Sequence, residues 1–361
     1  MQPLAVGRVI VATWEPHEQA VLDAIRELGL ELQVIFNKGA VMVLPAGVNK
    51  SSGFQAALDE LGLSPHNAVG TGDAENDHAF PALCECAVAV ANALPAVKER
   101  ADSVTAGDHG AGVVELIERL LRDDLHDVEP RLTRHQLVLG TRHDGAEVRL
   151  PSYGPTILSA GPSGSGKSTA VTGLVERLAE QGYQFCLLDP EGDYEGFAGA
   201  VVLGGPDQPP NPDEVLQLLA VPTQNVVVNL LGVRVDDRPA YFASLLPRLQ
   251  ALRTSTGRPH WLVIDEAHHL LPASWDAAKL VLPQRLYSTI LITLKPRRLA
   301  ASVLAEVDVA LAVGDGPDAT LRELAAARDM TAPADLPSSL AAGEVLFWDL
   351  VLVLGAKGPA G

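Results

Sequence analysis

The sequence predicts an α/β protein in two units, the second built on a parallel sheet with helices on both faces. Three observations carry this expectation. From residue 155 onward, short continuous apolar runs (PTILSA, QFCLLD, NVVVNLL, HWLVID, STILITL, VDVALAVG) alternate with helical stretches, the pattern of strands buried on both faces. A glycine-rich turn, GPSGSGKST, stands between the first of these runs and a helical stretch. The charged, proline-bearing segment LLRDDLHDVEPRLTRHQ, Leu120 to Gln136, separates this alternation from a different one before it.

The chain has 361 residues, enough for two domains that each bury a core. In the first, RVIVAT reads as a strand and EPHEQAVLDAIRELG as a helix with a proline near its first turn and a glycine stop. LELQVIF and AVMVLP follow as short strands, SSGFQAALDELGL as a helix, NAVGTGD and AVAVANA as strands, and VVELIERLL as the closing helix. The expected boundaries are a first domain over 1–122, divided at 45/46, a linker over 123–132, a second domain over 133–354, and a disordered tail over 355–361.

Composition narrows the classes. No apolar run reaches the roughly 18 uncharged residues of a membrane helix, and the start lacks a signal-peptide pattern, so a cytoplasmic protein is expected. Cys84, Cys86 and Cys186 show no ligand-like spacing and read as reduced, packed thiols. The net charge of −18 is uneven: residues 1–130 hold 20 acidic against 8 basic groups, and residues 131–361 hold 25 against 19. The acidic front repels phosphate backbones, so any nucleic-acid contact falls to a basic face of the second part.

In the first part, the turn GTGDAENDHAF, Gly70 to Phe80, gathers acidic groups behind an apolar run, and Lys50 stands upstream in VNKSSGFQAALDELGL. Hard oxygen ligands suit Mg²⁺, and a phosphoryl group favours a nearby cation. With the following AVAVANALPAVKERADSVT, these segments resemble the haloacid dehalogenase (HAD) superfamily, in its sugar-phosphatase-like branch. The resemblance implies an incomplete HAD-like Rossmannoid domain, in which residues 1–45 are a cap remnant and 46–122 part of the core. It implies that Asp73 and Asp77 hold Mg²⁺, that Asn76 lies nearby, and that Lys50 neutralises the phosphoryl group. The family attacks phosphate with the first aspartate of a DxD pair on its first strand, whereas Asp23, the only aspartate before Lys50, sits mid-helix without a second one two residues on. Two accounts stay open: an N-terminal portion encoded upstream, which the intact lysine and acids favour, or a module without covalent chemistry.

In the second part, GPSGSGKST fits GxxxxGK[ST] at every fixed position. Gly161, Pro162, Ser163, Gly164, Ser165, Gly166, Lys167, Ser168 and Thr169 form the expected nucleotide cradle. Backbone N–H groups and a helix N-terminus face the phosphates, Lys167 reaches the β and γ oxygens, and Ser168 ligates Mg²⁺. Val171, Leu174, Val175 and Leu178 share one face of the helix that follows. WLVIDEAHH delivers Asp265 to the magnesium shell and sets Glu266 beside it to polarise the attacking water. His268 and His269 read as helix-start or packing residues rather than ligands.

These motifs, with DPEGDY and TLKPRRL, make residues from about Leu132 to Trp348 resemble the HerA/FtsK-type branch of P-loop ATPases. The implied fold is a P-loop NTPase (RecA-like) sheet domain, and the implied activity is Mg²⁺-dependent ATP binding and hydrolysis. Asp189 and Asp193 of DPEGDY fall at the sheet's carboxyl edge, where a site role and a capping turn both fit. The family's later strand ends in a polar Thr-Gln pair that senses the γ-phosphate. Here Thr293 is followed by Leu294, so half of that sensor is apolar. Arg297 and Arg298 are candidate fingers toward a neighbouring subunit's nucleotide. The implied partners are further copies of the chain, with a ring as one form, and DNA, which the overall acidity opposes. The alternative functions are a HAD-type phosphatase acting on a sugar-phosphate-like substrate in a longer product, and a nucleotide-regulated binding module with little turnover.

Overall fold

A computed structural model describes residues 4–74, 77, 79–274 and 286–350. Two compact units emerge, Met1–His135 and Gln136–Gly361. Asn76 and the tail expected over 355–361 lie outside the described residues.

The first unit opens with an antiparallel sheet of β1 (Ala5–Val6), β2 (Val11–Trp14), β3 (Leu32–Asn37) and β4 (Ala40–Pro45), ordered β1-β2-β4-β3. The single strand expected over Arg8–Thr13 is interrupted, because the Gly7 amide donates to the Ile10 carbonyl at 2.7 Å and closes a turn. Pairing then resumes at Val11. Helix α1 (Glu18–Glu27) joins β2 to β3, with Glu18 in its first turn and Arg26 in its last, as the helix dipole favours.

Helix α2 (Lys50–Leu61) is fixed at both ends. Asn49 Oδ1 accepts from Ser52 N, the Ser52 hydroxyl accepts from Asn49 N, and Gly62 ends the helix at φ 65°. Lys50 is therefore held at a helix start. A parallel sheet of β5 (Val69–Gly72), β6 (Cys86–Ala89) and β7 (Ser103–Val104) follows, with helices α3 (Ala79–Leu83), α4 (Pro95–Lys98) and α5 (His109–Asp123). Residues 123–132, expected as a linker, pack instead. Leu125 and Val128 are buried with Leu116 of α5 and with Cys86 and Val88, since an apolar pair this close to the helix end can cover the exposed edge of its core.

The second unit begins with a hairpin of β8 (Leu137–Thr141) and β9 (Glu147–Leu150). Its main sheet contains β10 (Thr156–Ala160), β11 (Phe185–Asp189), β12 (Ala200–Leu203), β13 (Asn225–Asn229), β14 (Trp261–Ile264), β15 (Thr289–Thr293), β16 (Val309–Val313) and β17 (Val345–Asp349). Their order is β12-β13-β11-β14-β15-β10-β16-β17. Pairing is parallel among the strands expected from the sequence and β12; β17, not expected, runs antiparallel to β16.

Side chains alternate across the sheet. Ile157, Phe185, Leu187, Trp261 and Val263 pack on one face with Val171, Leu174, Val175 and Leu178 of α6 (Lys167–Glu180). Leu158, Cys186, Leu188, Leu262 and Ile264 pack on the other with Val215 and Leu219 of α7 (Pro212–Leu219) and with Phe242, Leu245 and Leu249 of α8 (Arg238–Thr256). Two further helices, α9 (Ala301–Ala305) and α10 (Pro317–Ala327), flank β16 in sequence. Burial on both faces is why these strands read as unbroken apolar runs.

The three cysteines are free and buried. Burial pushes the Cys84 thiol up to about 11 and those of Cys86 and Cys186 up to about 12.

Candidate functional site

Five adjacent parallel strands bring their carboxyl ends to one edge of the main sheet: β11, β14, β15, β10 and β16. The glycine-rich loop leaves β10 there and enters α6. Its path needs glycine at defined points. A Cβ at Gly161 would overlap the carbonyl oxygen of Val313 at the end of β16, and one at Gly314 would overlap the Ser165 side chain. Gly164 and Gly166 adopt φ 72° and 92°, in the left-handed region that other residues avoid. No side chain caps the start of α6, whose cap residue is Gly166, so its first N–H groups remain available to an anion. Lys167 is buried, and its Nζ donates to the Pro162 carbonyl at 2.9 Å. Burial lowers its pKa, while the carboxylates of Glu266, Asp265 and Glu191 oppose that shift.

Asp265 directly follows the carboxyl end of β14, and its amide donates to Leu188 O at 3.0 Å. The side chain is 1% exposed, and Oδ1 has no hydrogen-bond partner. Burial pushes the carboxyl up to about 7, helped by the charges of Glu266, Asp189 and Asp193 against a hydrogen bond from the Glu266 backbone. Glu266 follows at φ 39°, a strained conformation for a residue with a side chain. Its pKa is raised by burial and by Glu191, against the pull of Lys167 and Arg298.

His268 stands between this acid and the neighbouring strand. Burial first, then His269, Arg298 and Lys167, hold its pKa down to about 4, so the ring is neutral near pH 7. Arg298 Nη1 lies 3.4 Å from His268 Nε2. Guanidinium can only donate, so Nε2 accepts and the ring proton belongs on Nδ1. That nitrogen lies 3.3 Å from Thr293 Oγ1 and 3.1 Å from Glu266 Oε2. Thr293 is fully buried and its hydroxyl donates onward to Lys295 O at 3.4 Å. The threonine expected as half of a phosphate sensor is thus bonded within the protein to a histidine that sequence reasoning treated as packing.

The paired arginines differ. Arg298 meets His268, whereas Arg297 is exposed and takes Glu323 as its partner: its backbone N donates to Glu323 Oε1 at 2.8 Å, and its Nε stands 4.0 Å from the same oxygen. Asp189 resolves the choice between ligand and cap. Its Oδ1 accepts from the amides of Glu191, Gly192 and Asp193, and its Oδ2 from Tyr194 N, so it shapes the DPEGDY turn. Tyr194, missed in the sequence reading, is buried beside the loop. Burial and the Asp265 charge raise its pKa, while the hydroxyls of Ser168 and Thr172 lower it.

The first unit holds a separate, open cavity of about 510 Å³ lined by Lys50, Phe54, Asp73, Asp77, His109 and neighbouring backbone. Gly72 is required there because a Cβ would press on the Asp77 side chain. Asp77 Oδ2 accepts from the amides of Asp73 and Ala74, and Oδ1 pairs with Lys50 Nζ. Burial would raise the Asp77 pKa, but Lys50 and the two amides outweigh it and hold the carboxyl low. Asp73 Oδ2 pairs with Lys38 at 2.9 Å and accepts from Asn92 at 3.3 Å. Among the described residues lining this cavity, Asp73 and Asp77 are the only carboxylates.

Comparison with known proteins matches both units in part. A haloacid dehalogenase-like hydrolase family model matches residues 9–117, and the model "Helicase HerA, central domain" matches residues 160–254. Phosphoglycolate phosphatase 2 of Saccharolobus solfataricus is 34% identical over 117 residues, which cover 32% of this chain and 49% of the relative. Phosphoglycolate phosphatase of Methanothermobacter thermautotrophicus is 34% identical over 113 residues, covering 31% and 50%. The chain thus spans about half the length of these curated relatives. Among solved structures, the genome packaging NTPase B204 from Sulfolobus turreted icosahedral virus 2, in complex with ATP-gammaS, is 16% identical. It covers 55% of this chain and 93% of that chain at a TM-score of 0.39. In the segments that match, the chain carries a haloacid dehalogenase-like hydrolase domain followed by a HerA helicase central domain.

Proposed function

We propose that the second unit binds ATP with Mg²⁺ and hydrolyses it. The observation that carries this reading is the buried Asp265 carboxylate with its unpartnered oxygen, standing with Glu266 within electrostatic reach of buried Lys167. A buried carboxylate without a cation holds its proton, and an orphaned carboxylate oxygen is a hard donor of the kind that a divalent ion takes. Asp265 and Ser168 would hold Mg²⁺, which when bound offsets phosphate charge. The loop amides and Lys167 bind and orient the triphosphate, and Glu266 takes a proton from the attacking water. The Nδ1–H of neutral His268 donates to Thr293 Oγ1 and seats the ring beside the Glu266 carboxylate, and Arg298 fixes the ring's tautomer.

Assembly follows from the same reading. Exposed Arg297 would reach a neighbouring copy's nucleotide in a homo-oligomer, with a ring as one form and DNA as a candidate substrate of motion. Among the described residues no helix is long and apolar enough to cross a membrane, in keeping with action in the cytoplasm.

Proton linkage tests the metal site. Free Asp265 titrates near pH 7, so at pH 6 its ionisation on binding Mg²⁺ and ADP should release roughly one proton. Above about pH 8 the group is already ionised and the release should fade. Calorimetry in buffers of different ionisation enthalpy reads this, and the difference between wild type and Asp265→Asn isolates it from the nucleotide's own protons. An identical release from both proteins would refute the assignment. Stability carries the same sign: the contribution of a carboxyl with a raised folded pKa is present in acid and is lost as pH climbs from about 4 to about 7.

The cavity with Lys50, Asp73 and Asp77 favours a second reading, a phosphate-ester hydrolase site in the first unit, with Asp73 and Asp77 as the Mg²⁺ ligands and Lys50 beside the phosphoryl group. Such a site acts only where an attacking aspartate, not among these residues, is supplied to it. Phosphoglycolate, named by the relatives, is the first substrate to assay. Release that persists in Lys167→Ala and falls at least about 100-fold in Asp73→Ala would support it. No release from the wild type at any Mg²⁺ level would leave the nucleotide reading alone.

A further inference from the structure

We propose that His66, Glu85 and His135 form a binding site for one divalent transition-metal ion, Zn²⁺ foremost, in the first unit. The three side chains each bring a ligand atom within 4.8 Å of the other two. They come from separate segments that the backbone stitches together. His66 lies in a turn of 3₁₀ helix, Pro65–Asn67, capped by the Ser64 hydroxyl. The Glu85 amide donates to the Pro65 carbonyl at 3.1 Å. His135 ends the unit, and its Nε2 stands 3.2 Å from the Cys84 carbonyl.

That last contact sets the chemistry. A carbonyl can only accept, so Nε2 carries the hydrogen and Nδ1 keeps a lone pair; a ring that donates one N–H to a carbonyl while its other nitrogen coordinates is the usual arrangement at metal sites. His66 Nδ1 already stands 2.8 Å from Glu85 Oε2, with side chains only 6% and 12% exposed. The two imidazoles meet edge to face at a centroid distance of 5.3 Å. Ligands of a tetrahedral zinc ion lie about 3.4 Å apart. The widest separation in the cluster must therefore close by no more than about 1.4 Å, which side-chain rotation supplies.

Two imidazoles and one carboxylate suit Zn²⁺, Ni²⁺ or Cu²⁺ and are a poor set for Mg²⁺ or Ca²⁺. A neighbouring cation, Arg134, donates to the Glu85 carbonyl at 3.3 Å but is paired with Asp102 Oδ2 at 2.6 Å, so its charge is offset. Three protein ligands leave a fourth position for water. Bound metal would clamp the end of the first unit, at His135, onto the turns before β5 and β6.

The test uses the full chain, stripped by a chelator and kept free of nucleotide. Zn²⁺ titrated in a calorimeter, with metal content measured after desalting, should show one tight site per chain and a rise in melting temperature that Glu85→Gln abolishes. Glu85→Gln and His135→Ala should each weaken Zn²⁺ binding at least tenfold. Both should melt like the wild type when metal-free, which separates lost coordination from lost folding. His269→Ala guards against a second cluster, Glu266 with His268 and His269, and should bind Zn²⁺ as the wild type does. Unchanged affinity in both first-unit variants, loss in His269→Ala instead, or no zinc uptake by the wild type would each overturn the proposal.

Discussion

Lys167→Ala is expected to lower phosphate release from ATP at least about 100-fold, the scale of loss when one charged stabiliser of a transferring phosphoryl group is removed. Lys167 is the first residue of α6, is buried, and is held by the Pro162 carbonyl. Burial disfavours its charge, and three carboxylates, Glu266, Asp265 and Glu191, sustain it. Taking the ammonium away leaves those acids uncompensated exactly where a triphosphate would arrive, so nucleotide affinity should fall together with turnover. Lys167→Arg keeps the charge but not the reach of a compact ammonium, and should recover affinity before rate. ATP turnover in Lys167→Ala equal to the wild type would remove the loop from the chemistry altogether.

The second large effect separates binding from hydrolysis. Glu266→Gln should bind ATP as well as the wild type, while turnover falls by roughly 100-fold to 10,000-fold, the span for loss of a general base. The isosteric amide fits the same left-handed backbone at φ 39° and the same space beside His268, yet accepts no proton. His268→Ala should show a smaller loss, on the order of tenfold, because the ring only seats the carboxylate from the side; its signature is a changed kcat with ATP affinity preserved. Burial already raises the Glu266 pKa, so the rate should decline on acidification as the base takes up a proton. Full activity in Glu266→Gln would assign the water to another group.

The central strands were legible because each is buried on both faces and so reads as an apolar run whatever its neighbours. β12 and β17 were not. Both lie at sheet edges with half-exposed side chains, and their apolar runs, AVVL and VLFW, are short enough to pass for loop or helix segments. The phosphate loop was readable because its glycines answer local needs, such as the left-handed turns at Gly164 and Gly166. The contact between His268 and Thr293 was not, since it spans 25 residues and exists only because β15 lies between β14 and β10. The same holds for His66, Glu85 and His135, whose proximity comes from how three turns stack rather than from spacing. Asp189 shows the opposite case: DPEGDY drew attention as a site, and its carboxylate is consumed by four amides of its own turn.

Because every native thiol is shielded and reluctant to ionise, maleimides and mild oxidants should pass the folded chain by. A single cysteine introduced at an exposed position with no role in the site, such as Arg234, would then be the sole reactive handle, ready for dyes or bifunctional crosslinkers that report which copies touch during turnover.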